Sequence, residues 1–267
     1  MRIIRFLDDQ ERVLLGRDNG DNTAEVLEGT LFEPLTPTGR ILPVHRLLCP
    51  LDPRAILCIG LNYRDHAAET GKPLPERPVL FMKNPAAVQH PGEPVRLPRG
   101  MVDRPEVDYE VELAVVIGSA TRNVSAADAL GHVLGYTIAN DVSARRVQKQ
   151  GGGGQWVRGK SFDTFCPLGP ALITPEDIPD PQALRLTTRL NGELLQDGTT
   201  AEMIFPVAEL IADLSTDMTL LPGTVLLTGT PAGVGFARDP RVFLKPGDEL
   251  SLTIDVIGTL QNPVEAA

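Results

Sequence analysis

The sequence predicts a mainly β protein with a few helices, and three observations carry that reading. Proline is well above its average share, with 24 Pro beside 25 Gly in 267 residues, which demands many turns. Short apolar or alternating runs of strand length recur between those turns. Asn191-Gly192 stands between two alternating runs, the strongest short signal for a hairpin. A hydrophobic share of 42% and a charged share of 22% suit a soluble globular chain, long enough for one large domain or a domain with an appendage. The net charge of −10 argues against nucleic acid or an anionic membrane as main partner. Cys49, Cys58 and Cys166 lack a CxxC spacing and cannot all pair, which reads as reduced core thiols in a cytoplasmic protein. MRIIRFLDDQ lacks the apolar core of a signal peptide, and no run reaches transmembrane length.

MRIIRFL and ERVLLGR predict two strands about Asp8-Asp9, followed by a segment punctuated by Pro34, Pro37, Pro43 and Pro50. This makes a small β unit over residues 1–52, with the larger domain over 53–267. AILCIG is a buried strand, after which Asn62 caps a short helix with Asp65 in capping-box position. On that helix His66 and Glu69 are i and i+3 neighbours. A carboxylate beside an imidazole orients the ring and raises its basicity, as a general base requires. Taken singly, such a spacing more often marks an incidental surface pair. Gly71, Pro73, Pro75 and Pro78 then mark a loop of the kind that serves as a lid. VLFMK is another strand, whose Lys83 either reaches a site or ends in solvent; His90, beside Pro91, reads as exposed and idle.

The chemistry concentrates between Val107 and Lys160. In VDYEVELAVVIG, Glu110 and Glu112 are two apart within an apolar run, so on a strand they share one face. Two ionised carboxylates in such a place repel and lose hydration, and an all-oxygen site for Mg²⁺, Mn²⁺ or Ca²⁺ would offset both costs. A wetted edge strand with two surface glutamates is the plainer explanation of the pair alone. A second strand-like run, His132 to Ala139, ends in Asn140-Asp141, placing Asp141 at a strand's carboxyl end or at the N-cap of the helix begun by DVSARRVQ. Four glycines, Gly151 to Gly154, precede QWVRGKSFDTFCPLGP, where Arg158 and Lys160 sit among glycines and aromatics. Further on, TTAEMIFPVAELIADLST reads as an amphipathic helix, TVLLTGTPAGVG as a strand running into a glycine-rich turn, and KPGDELSLTID and VIGTLQNPV as closing strands.

Six segments from about Arg54 to Val264 together resemble the fumarylacetoacetate hydrolase family: GLNYRDHAAE, VDYEVELAVVIG, GYTIANDVSARRVQ, QWVRGKSFDTFCPLGP, NGELLQDGTTAEMIF and LLTGTPAGVG. Residues 1–50 match only loosely, as the accessory unit some members carry. The resemblance implies a mixed β-roll and a homodimer. It also places the ligands for Mg²⁺ (or Mn²⁺) on Glu110, Glu112 and Asp141, and a His–Glu pair on a mobile lid at His66 and Glu69. The active-site lysine falls on Lys160, and substrate contacts on Arg145, Gln148 and Thr230. The implied activity is hydrolysis of a carbon–carbon bond in an acylpyruvate, giving pyruvate and a carboxylic acid. In that reaction His66 activates a water and Lys160 stabilises the departing enolate. The runner-up is a lyase, isomerase, decarboxylase or dehydratase on a 2-oxo acid. A non-catalytic binding protein on the same scaffold is the remote third. The chain departs from the family pattern at Val147-Gln148, at its four glycines, at Phe236 after GVG and at Asp255-Val256, all of which bear on substrate choice.

Overall fold

The strand Val111–Ile117 is buried at every position and lies in the middle of the larger of two principal sheets. The computed structural model describes residues 1–99, 106–149 and 154–267; three of the four glycines noted above, 151–153, fall outside them. Val111–Ile117 pairs antiparallel with Val133–Asn140 on one side and with Thr224–Leu227 on the other. Ala55–Gly60 continues the sheet parallel to Thr224–Leu227, and Val79–Lys83 closes that edge. The near-continuous apolar runs are what a strand covered on both faces requires. A five-stranded sheet is built from Glu193–Thr199, Arg185–Leu190, Glu249–Ile254, Gly258–Ala266 and Val95–Leu97. Its strands Arg185–Leu190 and Glu249–Ile254 pack on Val111–Ile117. The protein is therefore mainly β with few helices, as the turn-rich composition predicts.

The first strand, Arg2–Leu7, pairs antiparallel with Val13–Asp18 about the Asp8-Asp9 turn. It also pairs with Cys166–Ile173, so the N-terminal strands join the main sheet rather than standing apart. The proline-spaced segment is not merely a connector: Thr36–Pro43 is an edge strand of the same sheet and, among the described residues, pairs only with Thr23–Glu28. Pro37 and Pro43 are tolerated there because an edge strand can lack ladder donors. The Asn191-Gly192 hairpin forms as predicted, with φ of 53° and 86° at its two turn residues, the positive values a tight primed turn needs. The helix expected over residues 199–216 is shorter, Val207–Ser215, because Pro206 stands at its N-cap and the chain before it turns through Thr200–Glu202.

Candidate active site

Glu110, Glu112 and Asp141 converge, with one carboxylate oxygen from each lying within 4.8 Å of the others. The convergence follows from register. Glu112 sits opposite Ala139, and beyond the end of that ladder the Asp141 amide donates to the Glu110 carbonyl at 2.9 Å. Asp141 is thus not a helix N-cap: Ser143–Ala144 intervenes, paired with Val107–Asp108, and the helix starts at Arg145. The three carboxylates are 5%, 2% and 0% exposed, so their charge has to be met within the protein.

Much of it is. Lys160, at the end of the short helix Trp156–Lys160, places Nζ 2.6 Å from Glu110 and 2.5 Å from Asp141. Lys83 donates to the other oxygen of Asp141 at 2.6 Å and to the Val142 carbonyl at 3.1 Å. Arg145 bridges Asp108 at 2.8 Å and Glu110 at 2.7 Å. Asp108 in turn accepts from the amides of Tyr109, Gly235 and Phe236. Burial opposes every one of these charges, yet Arg145 and Lys160 hold Glu110 below the usual carboxylate range, and Asp141 and Glu110 hold Lys160 above the usual lysine value.

Glu112 is the exception. Its oxygen accepts from the Gly229 amide at 2.6 Å, and among the described residues it has no cationic side chain against it. Burial, then Asp141 and Glu110, push its carboxyl well above the usual range. Four buried acids, Asp108, Glu110, Glu112 and Asp141, face three buried bases, Lys83, Lys160 and Arg145. The deficit of positive charge lies at Glu112, beside two more carboxylates. A hard divalent cation fits that donor set, since all ligands are oxygens and the missing charge is positive.

His66 stands above this floor on the helix Arg64–Glu69. Its Nδ1 is 2.6 Å from Glu69, whose other oxygen accepts from the Gly233 amide at 2.9 Å. Side-chain exposures of 13% and 20% separate this pair from an ordinary surface contact. The predicted capping box does not form. Tyr63 is the N-cap without a side-chain bond, and Asp65 accepts from the His66 amide at 2.7 Å and from the Ala232 amide at 3.1 Å. Asn62 is buried and ties the helix to the body, donating to the carbonyls of Thr228 and Phe205 and accepting from the Phe205 amide. Gly229 is required at this junction: its φ is +94°, and a Cβ there would lie 2.8 Å from that of Asn62.

A cavity of about 530 Å³ opens over these groups, lined by His66, Glu69, Glu110, Glu112, Asp141, Arg145, Gln148, Lys160 and Thr230 among others. All nine site residues expected from the sequence are therefore brought together. Thr230 is positioned differently from its expected use. Its hydroxyl donates to the Val111 carbonyl at 2.9 Å and accepts from Gln196 at 2.8 Å, so it has no proton left for a ligand. Gln148 accepts from Arg145 at 3.3 Å. Sequence reasoning missed Asp108 and Gln196, and left open for Lys83 the site position that it takes. Asp108 is in phase with Glu110 and Glu112, and Lys83 is in phase with buried Phe81, so alternation held a signal for both. Gln196, which joins the hairpin to Val111, Thr188, Thr230 and Pro231, carried none. His90 is also not idle: its Nδ1 accepts from the Cys49 amide at 3.0 Å.

Residues 55–265 match the model of the fumarylacetoacetate (FAA) hydrolase C-terminal family, and residues 1–50 match that of the Rv2993c-like N-terminal family. Human mitochondrial oxaloacetate tautomerase FAHD2A is 48% identical over 252 residues, spanning 92% of this chain and 77% of the relative. The oxaloacetate tautomerase fahd2 of Xenopus laevis is 49% identical over 219 residues, spanning 82% and 68%. A crystal structure of 5-carboxymethyl-2-hydroxymuconate delta-isomerase from Mycobacterium smegmatis superposes over the full length of both chains with a TM-score of 0.86 at 39% identity. By the family model across its larger part and by these relatives, the chain belongs to the fumarylacetoacetate hydrolase family.

Proposed function

We propose that the chain is a divalent-cation-dependent enzyme that shifts a proton on the carbon next to the carbonyl of a 2-oxo acid, by keto–enol tautomerisation or a closely related isomerisation. The observation that carries the proposal is the deficit of positive charge at Glu112, set beneath a His–Glu dyad in one cavity. The names of the relatives, oxaloacetate tautomerases and a muconate isomerase, point to the same class. Glu110, Glu112 and Asp141 would hold Mg²⁺ or Mn²⁺, which when bound supplies a Lewis acid for the carboxylate and keto oxygens of such a substrate. Glu69 fixes the His66 tautomer with the proton on Nδ1, leaving Nε2 free to accept a proton from the substrate's C3. The C–H electron pair moves into the C2–C3 bond and the carbonyl pair onto oxygen. A proton then returns to that oxygen, so no co-reactant is consumed. Lys160, whose Nζ lies between Glu110 and Asp141, would supply positive charge towards the oxygen that becomes negative.

Hydrolysis of an acylpyruvate by the same residues is the second reading, because a dyad that accepts a proton from carbon can also accept one from water. The two separate in one experiment. Mg²⁺-loaded protein is given oxaloacetate, with the enol followed by its ultraviolet absorbance, and in parallel a set of acylpyruvates, with products followed by mass. Acceleration of the enol–keto interconversion with the acylpyruvates intact is the expected result. Release of pyruvate from an acylpyruvate without tautomerase activity would replace this reading with the hydrolase.

A further inference from the structure

The helix that carries the dyad, Arg64–Glu69, is short, with Ala67 as its buried residue. A helix of this length is marginal by itself, so its place has to be set from outside. Asp65 and Glu69 share one of its faces, where two like charges repel. Each acid turns one oxygen to the helix and the other to the same loop. Asp65 accepts from the His66 amide at 2.7 Å and, with its other oxygen, from the Ala232 amide at 3.1 Å. Glu69 meets His66 Nδ1 at 2.6 Å and, with its other oxygen, accepts from the Gly233 amide at 2.9 Å. Two acids on one helical face are thus matched to two consecutive amides. Among the described residues, these are the side-chain hydrogen bonds that run from Arg64–Glu69 to another part of the chain.

The loop that donates is fixed on its far side. The Pro231 carbonyl accepts from Gln196 at 3.0 Å, and the Gly233 carbonyl from the Tyr109 hydroxyl at 3.1 Å. Gly233 has a φ of +103°, and a Cβ there would lie 2.2 Å from the Leu195 carbonyl oxygen, so only glycine fits. Further along, the Gly235 and Phe236 amides donate to Asp108. Asp108 also binds Arg145, which holds Glu110. A run of hydrogen bonds therefore leads from the acidic floor, through Arg145, Asp108 and the loop, to both acids of the helix.

We infer that Asp65 is a positioning residue for the proton transfer: with Glu69 it docks the dyad helix on the Ala232 and Gly233 amides and so fixes where His66 stands above the triad. Glu69 alone can orient the imidazole, but a single bond to the loop leaves the helix free to pivot about it. The second bond, one helical turn away, removes that freedom. Asp65 is not among the residues that line the cavity, so it acts through His66 and not on the substrate. The inference rests on the proton-transfer reading and adds to it the group that sets the distance.

Mg²⁺-loaded, full-length Asp65→Ala tests this beside wild type, on whichever of oxaloacetate or the acylpyruvates wild type turns over. kcat should fall by about tenfold to a hundredfold, since a small misplacement of a reacting group costs that much, while KM and Mg²⁺ affinity stay within about twofold. In a His66→Ala background the same substitution should change kcat by less than about twofold, because no imidazole is left to place. Amide hydrogen exchange, followed by mass without substrate, should quicken over residues 62–72 and stay unchanged over residues 110–117. Any one of three results overturns the inference: a kcat within about twofold of wild type, an equal loss with and without His66, or unchanged exchange over residues 62–72. Wild-type protein that turns over neither class of substrate removes the proton-transfer reading instead.

Discussion

The floor of the cavity and its mouth are made of the same kinds of side chain and solve opposite problems. On the floor, charges are buried, and all but Glu112 are interlocked with other side chains at 2.5–2.8 Å, while Glu112 is held by the Gly229 amide. Even so the floor is short of one positive charge, at Glu112. Further out, the exposed Lys149 and Arg241 lie against the Phe236 ring and Lys72 against Trp156, and among the described residues none of them has a carboxylate partner. Charge that is buried and closed on itself serves stability and geometry. His66 belongs to neither group: Glu69 orients it, and its second nitrogen has no hydrogen bond among the described residues.

The comparison can be broken at three places. The largest effect is expected at the dyad. His66→Ala should reduce kcat by about 10² to 10⁴ while leaving cation affinity near that of wild type, because the imidazole transfers a proton and is not a ligand. A kcat within a factor of a few of wild type would reduce the dyad to a structural contact, and Lys160 would be the next candidate for the proton transfer.

Next comes Lys83→Met, which removes one of two ammonium groups from a carboxylate with no exposed surface. Breaking such a pair should cost about 3 to 5 kcal/mol of stability in the cation-free protein. Part of that loss should return with Mg²⁺, because the vacated Asp141 oxygen gains another positive neighbour. Urea unfolding of both proteins, with and without Mg²⁺, measures this. A loss of the same size in both conditions would mean that Lys83 and the cation do not share Asp141.

The smallest effect separates mouth from floor by pH. Lys149, pushed to about 8, is charged below that pH and neutral above it. Burial lowers it most, Arg145, Lys72 and Arg241 lower it further, and Asp108 opposes them. Between pH 7 and 9, kcat/KM for a long 2-oxo diacid should therefore fall by about tenfold, with no matching fall for a 2-oxo monoacid of equal length. The change should appear in kcat/KM and not in kcat, because a bound carboxylate raises the lysine again. Parallel profiles for the two substrates would rule out a charge-reading mouth.

Where the sequence was legible, it was through period-two alternation. Glu110 and Glu112 were visible because they interrupt an apolar run in phase, and Asp108 and Lys83 obeyed the same rule in shorter strands, where it is easily passed over. The hairpin at Asn191-Gly192 was legible because its turn demands those residues. By contrast, Gln196 and Asn62 act through partners far along the chain, at Val111 and at Phe205 and Thr228. No local pattern encodes such a partner. The capping box was misjudged for a related reason. One oxygen of Asp65 accepts within its own helix, from the His66 amide, and folding brings the other the distant Ala232 amide.

The junction between the first strand and the rest of the chain has a practical consequence. Because Arg2–Leu7 is hydrogen-bonded to Cys166–Ile173, the first fifty residues are the cover of a sheet edge as much as an appendage. Cys166–Ile173 is buried at all eight positions and leads, through Val133–Asn140, to the strand beside the acidic triad. A chain cut after residue 52 would uncover the end of this apolar strand at Leu172 and Ile173, where Arg2 and Ile3 pair with it. Such a fragment would be prone to self-association through its open edge. Compositional boundaries and mechanical boundaries need not coincide, and here the hydrogen-bond ladder runs across the compositional one.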